Sequence, residues 1–306
     1  MMPVPVCTTM VRARLGRSCA VILAAWLLAH PAAANATDFG EGRLWRISRT
    51  GVADSYVLGT IHIVDPRLAS LPRPVEHALA RSFRLMTELS PGTVTHEELA
   101  GMEELDNDAR LEPLIGTDAY LRLRAELAAR DVPEQSALRL RPWAAMLKLT
   151  GATPRDDARS LDEQILRAAR ALGLRITPLE SMSEQAAAFD AIPLESQVAL
   201  LRHALERRDT LAAASEPTIA AWLRGDLAAL ANVAGNLGVR YPGMHEHYRR
   251  LVRHIIHDRT AVMHHRLVMP LRAGRVFVAV GAAHLPGHGG LLALLARDGY
   301  RVSRVW

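Results

Sequence analysis

The sequence predicts an α/β protein: a central sheet with parallel βαβ units at both ends of the mature chain and a large inserted helical layer. Three observations lead there. Short apolar, β-rich runs that stop at glycine or polar residues cluster near both ends of the 306-residue chain. Segments with apolar residues at helical spacing separate those runs. The middle is Ala- and Leu-rich and is punctuated by Pro193, Pro217 and Gly225.

The first segment stands apart from that fold. Arg12, Arg14 and Arg17 precede an apolar run from Cys19 to Ala29 and the string Ala32-Ala33-Ala34-Asn35-Ala36. This is the order of a cleavable export signal, and the run is shorter than the ~20 apolar residues a spanning helix needs. The expectation is a signal peptide over 1–36, cut after Ala34 or Ala36. It leaves a periplasmic or secreted protein of residues 37–306 without stable membrane insertion. Cys7 and Cys19 depart with the signal, which excludes disulfides, a thiol nucleophile and thiolate metal ligands. The segment also removes three Arg and no acid, so the net charge falls from +5 to +2. A nearly neutral chain without basic runs interleaved with aromatics gives no support to a nucleic-acid partner. What remains is read as a single domain with helical insertions at about 95–158 and 184–240.

Along the chain, Leu44 to Ser48 alternates apolar and polar, Gly51 to Asp54 is turn-like, and Ser55 to Leu58 resumes an apolar strand, together a hairpin. Val75, Leu79 and Phe83 mark a helix over Pro74–Phe83, and Arg84 to Leu89 is the next strand. The helical stretch beyond it has Leu121, Leu123, Leu127, Trp143 and Leu147 as core anchors. Ser160 with Glu163 three residues on is a capping box. It opens a helix ending near Gly173, and Leu174 to Glu180 is a short strand closing on a carboxylate. A long helical pattern from about Met244 to Met269 is expected to break at Pro270. A strand through Val278 to Gly281, a helix from Gly290 to Arg297 and a strand from Tyr300 to Val305 complete a second βαβ unit.

Chemistry concentrates at two strand ends. Gly59-Thr60-Ile61-His62 and Gly281-Ala282-Ala283-His284 repeat one pattern, a strand breaking at Gly and delivering a His three residues later. If the strands are parallel neighbours, both imidazoles reach the same sheet edge, where open α/β sheets bind ligands. Either motif alone is weak, because a single histidine there is commonly a hydrogen-bonded structural residue. Glu88 closes an otherwise apolar strand, where a buried carboxylate needs a partner or a metal; alternatively it begins an exposed loop leading to Pro91-Gly92. Glu180 presents the same choice, with Ser181 and Ser183 offering helix capping as an alternative.

A helical wheel over Met244–Leu267 gathers Met244, Tyr248, Leu251, Val252, Ile255, Ile256, Val262, Met263 and Leu267 on one face, with Arg259 in its middle. A desolvated guanidinium needs an anion. It either pairs with Glu88 or Glu180 or meets an anionic substrate group or developing oxyanion. His247, His254, His257, His264 and His265 fall on the opposite, polar face, and His288 lies at a helix start, so all read as solvated. No H-E-x-x-H, G-x-S-x-G or P-loop is present, which disfavours nucleotide hydrolysis and serine esterase chemistry.

Taken in order, several pieces resemble the TraB/PrgY/GumN family, whose relatives include the Tiki metalloproteases. These are Gly59 to His62, Thr87-Glu88-Leu89, Leu179-Glu180 through Glu184-Gln185 to Phe189, Pro193, Gln197, Arg259, and Gly281 to Gly287 with Gly290-Leu291-Leu292. The resemblance implies an erythromycin esterase or ChaN-like α/β fold. It also implies a divalent metal, Mn²⁺ or Co²⁺, held by His62, Glu88 and His284 with Arg259 assisting, and hydrolysis of a peptide or small-molecule substrate. One departure stands out: many bacterial members carry Arg-Asn on the helix, whereas here Thr260 follows Arg259. A non-catalytic periplasmic protein that binds a peptide, haem or small ligand is the alternative function.

Overall fold

The computed structural model describes residues 39–89, 95–151, 160–212 and 215–306. The expected signal peptide with its expected cleavage site and both cysteines lies outside the described residues, as do Pro91 and Gly92. Among the described residues, no helix is long and apolar enough to cross a membrane.

Six strands form one mixed sheet: β1 (Leu44–Arg49), β2 (Val52–Thr60), β3 (Arg84–Thr87), β4 (Arg175–Pro178), β5 (Val276–Gly281) and β6 (Arg301–Arg304). Their order is β4-β3-β5-β2-β1-β6. The four strands β4, β3, β5 and β2 run parallel, while β1 pairs antiparallel with both β2 and β6. The expected α/β architecture is therefore present, with a refinement in how its ends interlock. β5, from the end of the chain, inserts between β2 and β3 from its beginning, so the first helical crossover spans a strand supplied almost two hundred residues later. Central position explains the sequence of β5: Val276, Phe277, Val278, Ala279 and Val280 are all buried, as expected of a parallel strand covered on both faces.

The register of β2 with β5 places Gly59 opposite Val280 and Thr60 opposite Gly281. The two Gly-x-x-His motifs are thus neighbours on parallel strands but one residue out of step. β2 continues through Thr60, whereas β5 stops at Gly281 and turns into a 3₁₀ segment, Ala282–His284. Gly59 lies under that turn: a side chain there would meet Leu285 Cδ1 at 2.9 Å and Ala282 Cα at 3.1 Å. The carbonyl of Gly59 accepts from the Trp222 indole N–H at 2.8 Å, which satisfies the strand end from the helical layer.

Helices occupy the stretches between β3 and β4 and between β4 and β5. Three sequence expectations change here. The helix after β2 is Arg73–Ala80, so Phe83 falls beyond it and is 62 % exposed, beneath the Arg175 guanidinium. Leu121 is likewise exposed, while Leu123, Leu127, Trp143 and Leu147 are buried as anchors. The helix Arg259–Ala273 passes through Pro270 and stops at Gly274, whose φ is +75°. A proline three residues from a helix end interrupts little further hydrogen bonding, and the left-handed glycine supplies the stop.

The fourth change is the most consequential. Between the helices His245–Val252 and Arg259–Ala273, residues Arg253–Asp258 form a π-helical turn. A π turn is wider than an α turn, so the buried face slips in phase. Beyond it Arg259, Thr260, Met263, Leu267 and Leu271 face inward, and Val262, which an unbroken wheel turns inward, is 41 % exposed.

Candidate functional site

Glu88 follows β3 directly and is buried, as are Glu180 after β4, His284 after β5 and Arg259 at the end of the π turn. His62, two residues past β2, is partly exposed. Strand register and the π turn bring all five together from segments more than two hundred residues apart, His62 to His284.

Arg259 is the hub. Its Nη2 donates to Glu88 Oε2 at 2.6 Å and to Glu180 Oε2 at 2.8 Å, and its Nε donates to both oxygens of Glu180 at 3.2 and 3.0 Å. Its Nη1 donates to the Ile255 carbonyl at 3.1 Å. The choice left open by the sequence resolves toward pairing, and with both carboxylates at once. Glu180 is the more buried of the two, even though Ser181 and Glu184 do form a capping box beside it. Burial raises the Glu180 pKa against the pull of the guanidinium. At Glu88 burial is outweighed by the charges of Arg259, His284 and His62 and by the Gly281 amide, which hold its carboxyl well below the usual range.

With Oε2 held by Arg259, Glu88 presents Oε1 to the sheet edge. That oxygen accepts from the Gly281 N–H at 2.5 Å and stands 3.9 Å from His284 Nε2. The His284 tautomer is set by its other nitrogen. Thr260 Oγ1 donates its single proton to the Ile256 carbonyl at 2.6 Å and therefore accepts from His284 Nδ1–H at 2.8 Å. Nε2 keeps its lone pair toward Glu88. Burial depresses the His284 pKa to about 4, the charges of Arg259 and His62 adding to it against the attraction of Glu88. Thr260, which replaces the amide expected from the resemblance, thus orients the imidazole by its hydroxyl. Thr260→Val is expected to lower stability by about 1–2 kcal/mol, the cost of a weakened buried hydrogen-bond set, with Thr260→Ser much closer to wild type. Denaturant unfolding of the three proteins measures this.

His62 is oriented from the opposite side. Its Nδ1 donates to Asp162 Oδ2 at 2.9 Å, leaving Nε2 toward Gly281. Surrounding protein favours neutrality at His62, but the charge and hydrogen bond of Asp162, with the charge of Glu88, raise its pKa to about 9 against Arg259.

Gly281 marks where the three side chains meet. A Cβ on it would lie 3.1 Å from Glu88 Oε1, 3.5 Å from His284 Cδ2 and 3.9 Å from His62 Nε2. Among the described residues, no three His, Cys, Asp or Glu side chains already stand in metal-holding geometry. The chemistry of the donors nevertheless fits a cation: one carboxylate oxygen and two imidazoles border a common space, His284 with a free Nε2 lone pair and His62 with an Nε2 that a cation would free by displacing its proton. The 3.9 Å between His284 Nε2 and Glu88 Oε1 lies within the span of two ligand bonds of ~2.1 Å each.

A cleft of about 440 Å³ opens beside His284 and Thr260, with Val252, Ile256, Ala228 and Asn232 along it and His257 and His288 at its rim. These two histidines are exposed, as the wheel and the turn suggest, yet they border the site. The rest of the polar face is partly engaged: His254 pairs with Asp258, His264 with Asp298, and His247 Nδ1 meets Ser196 Oγ. Sequence reasoning missed Asp162 and Thr260. Asp162 lies in the first turn of a well-capped helix, where an acid is ordinary, and Thr260 lies on the flank of the unslipped wheel.

A sequence model of the TraB/PrgY/gumN family matches residues 43–304. No curated protein and no solved structure matches the chain.

Proposed function

The chain belongs to the TraB/PrgY/gumN family, and from that membership and the donors around Gly281 we propose an exported, metal-dependent hydrolase acting on peptides or similar amides. The observation that carries this is the convergence of His62 Nε2, His284 Nε2 and Glu88 Oε1 on one small space, each with its opposite atom tied back by the protein. Charge supports a divalent ion. Ligation needs both imidazoles neutral, so His62 would release the proton that Asp162 and Glu88 favour on it; Glu88, Glu180 and Asp162 then outweigh Arg259 by two negative charges, which a divalent cation balances. His62, His284 and Glu88 would hold the ion, with Mn²⁺ or Co²⁺ the metals suggested by the family resemblance. Such an ion supplies Lewis-acid polarisation of a substrate carbonyl.

The chain's own residues divide the remaining work. Arg259 serves as a positioning residue, because its Nε and Nη2 hydrogens are taken by carboxylates and it fixes the direction of Glu88. Glu180 neutralises that guanidinium. Asp162 and Thr260 fix the two imidazoles. The cleft beside His284 offers room for the substrate, and no carboxylate is among its lining residues.

Binding and turnover with Mn²⁺ and a mixed peptide library test the proposal. Wild-type protein is expected to bind one Mn²⁺ and cleave peptides only when it is present, and His62→Ala and His284→Ala each to lose both properties while keeping the wild-type circular dichroism spectrum. Full activity in either variant would refute the assignment. Stoichiometric retention of a peptide without turnover would instead favour the ligand-binding alternative, which the cleft also accommodates.

A further inference from the structure

We infer that Asp162, with Thr60, is the positioning pair for His62, its carboxylate supplied by the helix Leu161–Ala171 that leads into β4 and its hydroxyl by the end of β2. This rests on the metal-centre reading above. An acid in the first helical turn ordinarily serves the helix itself, by favouring its N-terminus or capping its amides. Asp162 is relieved of that task. Ser160 Oγ accepts from the Glu163 amide and the Glu163 carboxylate accepts from the Ser160 amide, so the capping box is complete without it. Its two oxygens reach instead across to the end of β2: Oδ1 accepts from Thr60 Oγ1 at 2.8 Å, and Oδ2 accepts from His62 Nδ1–H at 2.9 Å.

The arrangement has two physical consequences. The carboxylate is held at both oxygens, so its orientation is set by Thr60, which is 1 % exposed at the strand end. His62, held through Nδ1, keeps Nε2 turned toward Gly281, the nitrogen that would ligate once its proton is displaced. Ligating histidines commonly carry such a carboxylate behind them, which fixes the tautomer and raises basicity. The helix bearing Asp162 is itself fixed to the loop after His62, because Gln164 Nε2 donates to the Leu68 carbonyl. The two sides of the site therefore use different devices: Thr260, just past the π turn, sets His284, and Asp162, from the helix preceding β4, sets His62.

Isothermal titration with Mn²⁺ on full-length wild type, Asp162→Asn, Thr60→Val and His62→Ala tests this, together with ¹⁵N imidazole NMR of His62. Asp162→Asn keeps the shape but loses the charge and can present an amide N–H to Nδ1, which would move the imidazole proton to Nε2. The expected result is a 10–100-fold weaker Mn²⁺ affinity with a changed His62 tautomer signal. Thr60→Val is expected to weaken binding in the same direction, by less, and keeps the assay decisive if Asp162→Asn folds poorly. Wild-type affinity and an unchanged imidazole signal in both variants, even with lower melting temperatures, would reduce the pair to a structural contact and overturn the inference. A wild type that binds no Mn²⁺ would overturn the metal-centre reading, and this inference with it.

Discussion

Gly281→Ala is expected to abolish divalent-metal binding while leaving the fold intact. The backbone at Gly281 has φ −53° and ψ 134°, a conformation any residue adopts, and its N–H to Glu88 would survive the change. The added methyl, however, would sit 3.1 Å from Glu88 Oε1 and within 4 Å of both imidazoles, in the space the ligands share. The loss of Mn²⁺ affinity is expected to exceed the roughly 100-fold that accompanies removal of an outer partner, with a melting curve close to wild type. Gly59→Ala should behave oppositely, because its Cβ meets Leu285 and Ala282 rather than the donors. Overpacking of that kind costs about 1–3 kcal/mol. Calorimetric titration and thermal melting of the two variants separate the roles, and wild-type Mn²⁺ binding by Gly281→Ala would sink the site.

Arg259→Met is expected to be the most destabilising single substitution in the cluster. It leaves Glu88 and Glu180, both buried, without their shared counter-charge. Removing one partner from a buried ionic set typically costs about 3–5 kcal/mol, which for a protein of this size lowers the melting temperature by on the order of 10 °C. Adding Glu88→Gln and Glu180→Gln to the same chain should recover much of that loss, since the stranded charges are then gone. A melting temperature unchanged by Arg259→Met would show that the triad is solvated in solution.

How much of this molecule was legible in the sequence depends on the range of the interactions concerned. The hairpin, the strand-ending Gly-x-x-His pairs, the capping box at Ser160 and the helix capping near Ser181 are local patterns, so they could be read directly. The convergence of His62 and His284 was legible because one motif repeated. Glu180 was undervalued, because nearby serines gave it a sufficient local explanation while its partner lay 79 residues away. Asp162 was invisible for a related reason: its partners lie about a hundred residues upstream, and topology alone joins them. The inward face of the 244–267 helix was read correctly up to Ile256 and incorrectly at Val262, since no residue type announces a π turn.

That π turn can also be regarded as the trace of one residue too many. The surplus residue rotates the remainder of the helix as one body, and the sector carrying Arg259 and Thr260 is turned so that they reach Glu88 and His284 respectively. Excising a single residue from 253–258 would give a tidier helix and a better-covered Val262, at the expense of the reach of Arg259 to Glu88 and of Thr260 to His284. In this protein the reading frame of one helix, counted in single residues, is a lever on the site that ordinary substitution scanning would never pull.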